Sequence, residues 1–556
     1  MNQAPLTLAE RRILGRFDTP RPLAQSVTDW AIRNRRDLVL EPSVGGGIFA
    51  LSAVARLKTL GVKQPHTQVV ACDIDQRALA ETNKNMPETP PLLAKGNFLE
   101  LGLQELGGRQ FDVVVGNPPY VRLHSMSESS RLAARRSLPS PNLLGAKASL
   151  WAYFPIHAFK MLKTGGRMAW ILPEALFHVD YGRQLLTWAG ENFRRCRAVS
   201  LRERCFQSEG TKERVVILLL EGAGKPAPQK IEITEHESAK ECISALATMS
   251  ADNNSVLPQL NGHAVPHLIS SEASSSAHAL ETCSDLTTLG TYADIKIGVV
   301  TGDNGFFVLS EMQRKQQHLR PHHFLPIVNK FSDLGAGFIN RNNATDGDLC
   351  RNLLLCPNPE SNDLKLAAYL ASYPAEAQKT NQTMGKRPYW QCPQLGLIPD
   401  AFLRYMGKVG PRLVINRSKS YCTNTIHAIF FKANVSAAQR KAICLALHST
   451  YSQLSAEFEG RQYNSGVLKL EPSEAKKIRL PVAPQALVAL QKAWRTLAAK
   501  AERNGWETVV KQIDYIILSH SPLLAQALPI DRAKRILQQV RQRRTGNIIA
   551  PDKVHQ

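Results

Sequence analysis

The chain has 556 residues, 43% of them hydrophobic, and carries 69 lysines and arginines against 47 acidic residues, a formal charge of +22. That length has room for two or three domains with a core in each. A membrane span needs roughly eighteen consecutive apolar residues and a secretory leader needs a charged-then-apolar start, and neither pattern is found, so the expectation is a cytoplasmic protein with no membrane contact. The cationic excess points to a polyanion as partner, with a basic but unspecialised surface as the plain alternative. The 10 cysteines follow no Cys-x-x-Cys spacing, so neither a metal site nor a disulfide framework is expected.

Up to about residue 221, apolar runs of strand length alternate with amphipathic stretches. This is the pattern of repeated βα units and predicts an α/β domain over 1–221 with a doubly wound, mostly parallel sheet. Candidate strands are Leu38–Leu40, Val69–Cys72, Phe111–Val115, Arg167–Leu172, Cys196–Leu201 and Val215–Leu220. Residues 222–289 open on Gly222-Ala223-Gly224-Lys225-Pro226-Ala227-Pro228, and Asn253–Ser276 is rich in serine, asparagine and histidine, which predicts a connector with one short strand and one helix. Residues 290–481 are irregular, with short β-like runs (Ile295–Val300, Leu413–Ile415, Ala428–Phe431) and aromatics beside basic residues, and are read as a second domain, mainly β with helices. Residues 482–556 return to helical periodicity and end in Arg532-Ala533-Lys534-Arg535 and Arg541-Gln542-Arg543-Arg544, read as helices packed on the second domain followed by a basic tail.

Three segments of the first domain carry chemistry. Glu41-Pro42-Ser43-Val44-Gly45-Gly46-Gly47 follows one strand and precedes a helix, a geometry that lets backbone approach a nucleoside closely; it lacks the Gly-Lys-Ser/Thr ending of a phosphate loop. Asp73 and Asp75 stand at the end of the next strand, where a carboxylate can accept both ribose hydroxyl protons, and Asp73 is the choice for that role. Gly96-Asn97-Phe98-Leu99 ends the following unit, with Asn97 placed for an adenine edge and Phe98 for its face. After the apolar run Phe111–Val115 comes Asn117-Pro118-Pro119-Tyr120, whose prolines forbid helix and ladder alike and force the strand to stop at a cleft.

Phe17-Asp18-Thr19-Pro20, the Glu41-Pro42 glycine turn, Asp73, Gly96-Asn97-Phe98-Leu99 and Asn117-Pro118-Pro119-Tyr120 follow the motif order of γ-class N6-adenine DNA methyltransferases, and the chain resembles that TaqI-like family over roughly residues 10–481. The resemblance implies a Rossmann-like catalytic domain, a C-terminal target-recognition domain, S-adenosylmethionine as cofactor and double-stranded DNA as substrate. A cognate restriction endonuclease or defence-complex subunit is the partner class such a methylase implies. It puts Thr19 with the segment covering the methionine end, Glu41, Pro42 and Gly45 at the amino-acid moiety, Asp73 at the ribose, and Asn97 and Phe98 at the adenine. The family usually has aspartate where this chain has Asn97. Phe206 matches a second aromatic at the target base. In the recognition domain, Lys386, Arg387, Trp390, Asn416, Arg417, Lys419 and Tyr463 combine phosphate-seeking cations with aromatics and amides able to read base edges.

The tetrapeptide suits transfer to a planar amino nitrogen. Its lone pair is delocalised, and two acceptors, the Asn117 side-chain oxygen and the Pro118 carbonyl, can draw the nitrogen towards tetrahedral geometry. Asn117 also borders the cofactor site, and Tyr120 can stack under a base flipped out of the duplex. The same chemistry would serve an RNA base or a protein glutamine. A DNA-binding subunit with a decayed methylase fold is the non-enzyme alternative.

Overall fold

The structure is a computed structural model that describes residues 10, 15–86, 89–206, 214–224, 231–249, 266, 269–340, 352–359, 361–463 and 466–545. The chain divides into two compact units at Leu268/Ile269.

The first unit is built on an eight-stranded sheet. Its strands are β1 (Val39–Glu41), β2 (Val69–Asp73), β3 (Leu92–Lys95), β4 (Phe111–Gly116), β5 (Leu162–Pro173), β6 (Phe193–Leu201), β7 (Val215–Ala223) and β8 (Ile231–His236), in the order β3-β2-β1-β4-β5-β7-β6-β8. All neighbours are parallel except β7, which runs antiparallel between β5 and β6. Helices cover both faces, so the central strands read as unbroken apolar runs. In β4, Val114 faces a core with Phe111, Trp151 and Trp170, while Val113 and Val115 face the opposite core with Val39, Ala50 and Ile171. The strand order reverses between β1 and β4, and at such a reversal the loops diverge and leave a crevice at the carboxyl ends of the strands.

The six expected strands are present, and the sheet has two more. β3 and β8 are its edges, and neither has a long apolar run: Leu92 is half exposed, and β8 alternates Ile231 and Ile233 with acidic residues. The segment expected as a connector is therefore divided. β8 and the helix Ala239–Thr248 join the first unit, whereas the helix Ser271–Thr282 and the strand Leu286–Thr288 belong to the second. Residues 250–265, within the expected connector, lie outside the described residues.

The second unit holds a five-stranded sheet, ordered Ala293–Ile297, Ile426–Phe431, Ala401–Arg404, Leu413–Asn416 and Ile339–Asn340, and a smaller four-stranded sheet through Phe324–Val328. Helices Ala437–Leu447, Thr450–Glu459, Pro484–Asn504 and Ile530–Thr545 share one core with the larger sheet. The Arg541–Arg544 run expected as a basic tail is instead part of the last of these helices. Arg541 Nε (3.0 Å) and Arg544 Nε (2.8 Å) donate to the buried Glu457 carboxylate, and Arg544 also donates to the Gly466 and Lys408 carbonyls. The acidic partner lies on another helix, and that is why the sequence run looked solvated. Truncating it leaves the buried Arg544 guanidinium without its carboxylate, so Glu457→Ala is expected to destabilise the second unit by about 3–5 kcal/mol, read in its denaturant unfolding transition.

Candidate active site

A cavity of about 320 Å³ opens at the carboxyl ends of β1, β2, β3 and β4, and the four motifs expected there converge on it. Glu41, Pro42 and Gly45 line it from the end of β1, Asp73 from β2, Asn97 and Phe98 from β3, Asn117 from β4, and Thr19 from the segment that leads into the helix Arg21–Ala31. The turn is held by close approach. Gly47 has φ +84 and caps the helix Ile48–Thr59, and a Cβ there would stand 2.8 Å from Thr82 Cγ2. Only glycine fits both constraints.

Asp73 organises this turn. One carboxylate oxygen accepts from the Gly45 N–H at 3.0 Å and the other from the Asp75 N–H at 2.9 Å, which leaves lone pairs on both for a ligand. Burial raises its pKa, and the two N–H donors act the other way. Asp75 caps the next helix and pairs with Arg77, a structural role. Asn97 caps a short turn by accepting from the Leu99 N–H at 3.3 Å, and its Nδ2 donates to Glu100 at 2.9 Å. Phe98 is buried, edge-on to His157 with ring centroids 4.9 Å apart.

Glu41 is the strongest electrostatic feature. It is buried and accepts from the Phe49 and Ala50 N–H groups at a helix N-terminus, yet Oε2 has no hydrogen-bond partner among the described residues. Burial pushes its pKa well above the usual carboxylate range, and the charge of Asp73 adds to the rise. A buried carboxylate oxygen facing a cavity without a partner fits a cationic ligand group.

Asn117 is fixed from three sides. Its Nδ2 donates to the Phe17 carbonyl at 3.0 Å and to Thr19 Oγ1 at 3.2 Å, and its own carbonyl accepts from Ser43 Oγ at 3.0 Å. A carbonyl can only accept, so the atom facing Phe17 must be the nitrogen and Oδ1 is turned away from it. That oxygen is buried with no hydrogen-bond partner among the described residues. Pro118 is buried behind it. Tyr120 donates its hydroxyl to the Ile171 carbonyl at 3.1 Å, and its ring lies 5.6 Å from that of Phe17. Phe206 is not on the cavity: it lies in the turn after β6, wholly buried in the core with its ring 6.1 Å from Phe17, so its contact with the site runs through Phe17.

Several residues lining the cavity were given no role in the sequence reading, among them Ile74, Ser43 and Arg16. Ile74 is 62% exposed, an aliphatic side chain presented between Asp73 and Asp75, and its place straight after a strand was the available signal. Ser43 anchors the tetrapeptide backbone, and Arg16 is held in the wall by Glu81 at 2.8 Å and Asp18 at 3.4 Å.

In the second unit the expected contact residues separate. Lys386 is exposed on another cavity, and Arg417 and Lys419 are exposed on a turn. Arg387 is instead buried, donating to the Trp390 carbonyl at 3.0 Å and the Val300 carbonyl at 2.7 Å. Asn416 is fully engaged in a turn, donating to the Pro399 and Ser420 carbonyls and accepting from Ser418 Oγ and the Ser420 N–H, so its amide has no edge left for a base. Trp390 packs on Tyr373, with centroids 5.5 Å apart. The Tyr463 side chain lies outside the described residues. No helix among the described residues is long and apolar enough to cross a membrane.

The mostly parallel sheet with its strand-order reversal, a glycine turn and two carboxyl groups at one crevice is the fold of S-adenosylmethionine-dependent methyltransferases. Residues 56–206 match the Eco57I restriction-modification methylase family, and residues 262–518 match the C-terminal domain of the type II methyltransferase M.Eco57I. The type II methyltransferase M.AccI of Acinetobacter calcoaceticus is 20% identical over 482 residues, covering 85% of this chain and 86% of the relative. M.XamI of Xanthomonas campestris pv. amaranthicola is 22% identical over 482 residues, covering 84% and 85%. Among solved structures, the type IIL restriction-modification enzyme MmeI in complex with DNA shares the fold at a TM-score of 0.51 and 12% identity, over 95% of this chain and 75% of that one. Both halves of the chain thus match models of the Eco57I restriction-modification methylases, and the chain is an S-adenosylmethionine-dependent DNA methyltransferase.

Glu41 supplies a test with two opposite readouts. Its folded carboxyl keeps its proton above the unfolded range near about 4.3, so the native state loses stability as pH rises from that range towards the folded value. Glu41→Gln is therefore expected to raise the melting temperature of the ligand-free protein at neutral pH while weakening S-adenosylmethionine binding about ten- to a hundredfold. In the wild type, calorimetry in buffers of different ionisation enthalpy should show proton release on binding, and affinity should fall as pH drops through the Glu41 pKa.

Proposed function

We propose that the enzyme methylates the exocyclic N6 amino group of an adenine flipped out of duplex DNA, as the modification component of a restriction-modification system. The observation that carries this reading is Asn117 Oδ1, a buried acceptor without a partner on an amide whose nitrogen is already tied to Phe17 and Thr19. When bound, S-adenosylmethionine supplies an electrophilic methyl group on a sulfonium centre. Glu41, Asp73 and the glycine turn would hold that cofactor, with Ile74 and Phe98 bordering its adenine and Thr19 near its methionine end.

The residues of the tetrapeptide divide the work. Asn117 Oδ1 accepts one hydrogen of the target amino group and the Pro118 carbonyl the other, which localises the nitrogen lone pair and stabilises the positive charge that grows on it. The Asn117 amide is already oriented by its bonds to Phe17 and Thr19, so little reorganisation of that group accompanies the reaction. Tyr120, its ring held through the Ile171 carbonyl, supplies the π-face that replaces the stacking lost on flipping, worth about 1–3 kcal/mol. The +22 charge favours a nucleic acid over a protein glutamine as acceptor, and the intact tetrapeptide favours an enzyme over a decayed binding subunit.

Sequencing that reads N6-methyladenine and N4-methylcytosine, applied to DNA from cells expressing the wild type or Asn117→Ala, tests this. The expected result is one adenine-containing motif modified by the wild type alone. A mark on cytosine, or none on DNA with methyl transfer to RNA or protein, would overturn it.

A further inference from the structure

The second unit contains a cavity of about 400 Å³ whose walls differ in kind from those of the cofactor site. One side is the edge strand Ala293–Ile297 and its continuation through Val300, and the other is formed by two loops, around residues 382–387 and 394–399. Its charged lining residues are Lys296, Lys386 and Arg387, with no carboxylate among the described lining residues. Arg387 is occupied internally: it ties the Trp390 carbonyl to that of Val300 and so clamps one loop to the strand. Lys386 is exposed and has no ion-pair partner among the described residues, and Lys296 rests its ammonium over the Phe430 ring at 5.5 Å.

Two further wall residues, Gln382 and Gln394, are exposed, and neither amide has a hydrogen-bond partner among the described residues. A free carboxamide offers a donor and an acceptor side by side, the pattern that pairs with the major-groove edge of a base. Next to them Leu397 is 78% exposed, and the strand side presents Ile297 and Val300. The floor is rigid. A Cβ on Gly298 would stand 2.3 Å from the Thr423 carbonyl oxygen, and Val299 donates to the Cys422 carbonyl at 2.7 Å.

We propose that this cleft is the base-reading surface of the enzyme. Duplex DNA is its occupant: Lys296 and Lys386 bind phosphates, Gln382 and Gln394 read base edges, and Leu397 packs against an apolar base edge such as a thymine methyl. One sign of charge, unpaired amides and exposed aliphatic side chains on a fixed floor together match a polyanion with hydrogen-bonding and apolar edges; an unclaimed apolar patch would lack the first two. The inference takes its substrate from the DNA-methylation reading above, and it replaces Arg387 and Asn416 as base readers with the two glutamines.

The test uses the purified full-length chain and a pool of duplexes that vary around the modified motif, with binding and methyl transfer measured in parallel. Gln382→Ala and Gln394→Ala are expected to broaden the accepted sequences at one or two positions, lowering discrimination there about ten- to a hundredfold. Lys386→Ala is expected to weaken binding to every duplex alike and to reduce the slope of log affinity against log salt by about one. All three residues are exposed, so folding should persist, checked by unchanged thermal unfolding. Unchanged base preference and salt slope in all three would overturn the proposal. If the wild type binds DNA but methylates none of it, the methylation reading fails, and the binding arm alone still decides for or against the cleft.

Discussion

The hydrogen bonds that Asn117 Nδ2 donates to the Phe17 carbonyl and Thr19 Oγ1 join the segment before the first helix to the end of β4, and the site takes its form from that closure. β4 lies beside the point where strand order reverses, so the crevice there would exist without them. With them, the crevice gains a roof, and the one side-chain oxygen left over is aimed by exclusion. The aromatic rings follow: Phe17 packs between Tyr120 and Phe206, so the same segment that orients the amide also supports the Tyr120 ring.

Two buried acceptors then stand unsatisfied in one cavity, Glu41 Oε2 and Asn117 Oδ1. Leaving a polar group buried and unpaired costs about 1–3 kcal/mol, so the ligand-free protein holds strain that ligands relieve. Glu41 suits a cation and Asn117 a neutral hydrogen-bond donor, which is the division of labour the proposed reaction asks of them.

The sequence made most of the first sheet legible because its central strands are buried on both faces and appear as uninterrupted runs, as in Val113–Val115. The edge β3 escaped because an edge strand buries little, and β8 was legible as a short strand but not as the other edge of this sheet. The convergence of Glu41, Asp73, Asn97 and Asn117 on one cavity was legible for a topological reason: each follows a strand, and parallel strands deliver their carboxyl ends to one side. The second unit was harder to read. Arg387 and Asn416 have the residue types of DNA readers, but nearby carbonyls claim them, and nothing local in the sequence marks that. Arg541 and Arg544 looked like a tail because their carboxylate lies more than eighty positions away, at Glu457. Gln382 and Gln394 carried no signal, since a free glutamine is ordinary until its neighbours are known.

The central claim is that transfer depends on how the Asn117 amide is oriented, and Thr19 is the positioning residue that tests it with the least disturbance. Single-turnover methyl transfer should be compared for wild type, Thr19→Ser and Thr19→Val, with cofactor affinity measured alongside. The account predicts that Thr19→Val, which keeps the shape and removes the acceptor, lowers the transfer rate about tenfold with little change in cofactor binding, and that Thr19→Ser restores most of the rate. Equal rates in all three, or a loss confined to cofactor affinity, would contradict it.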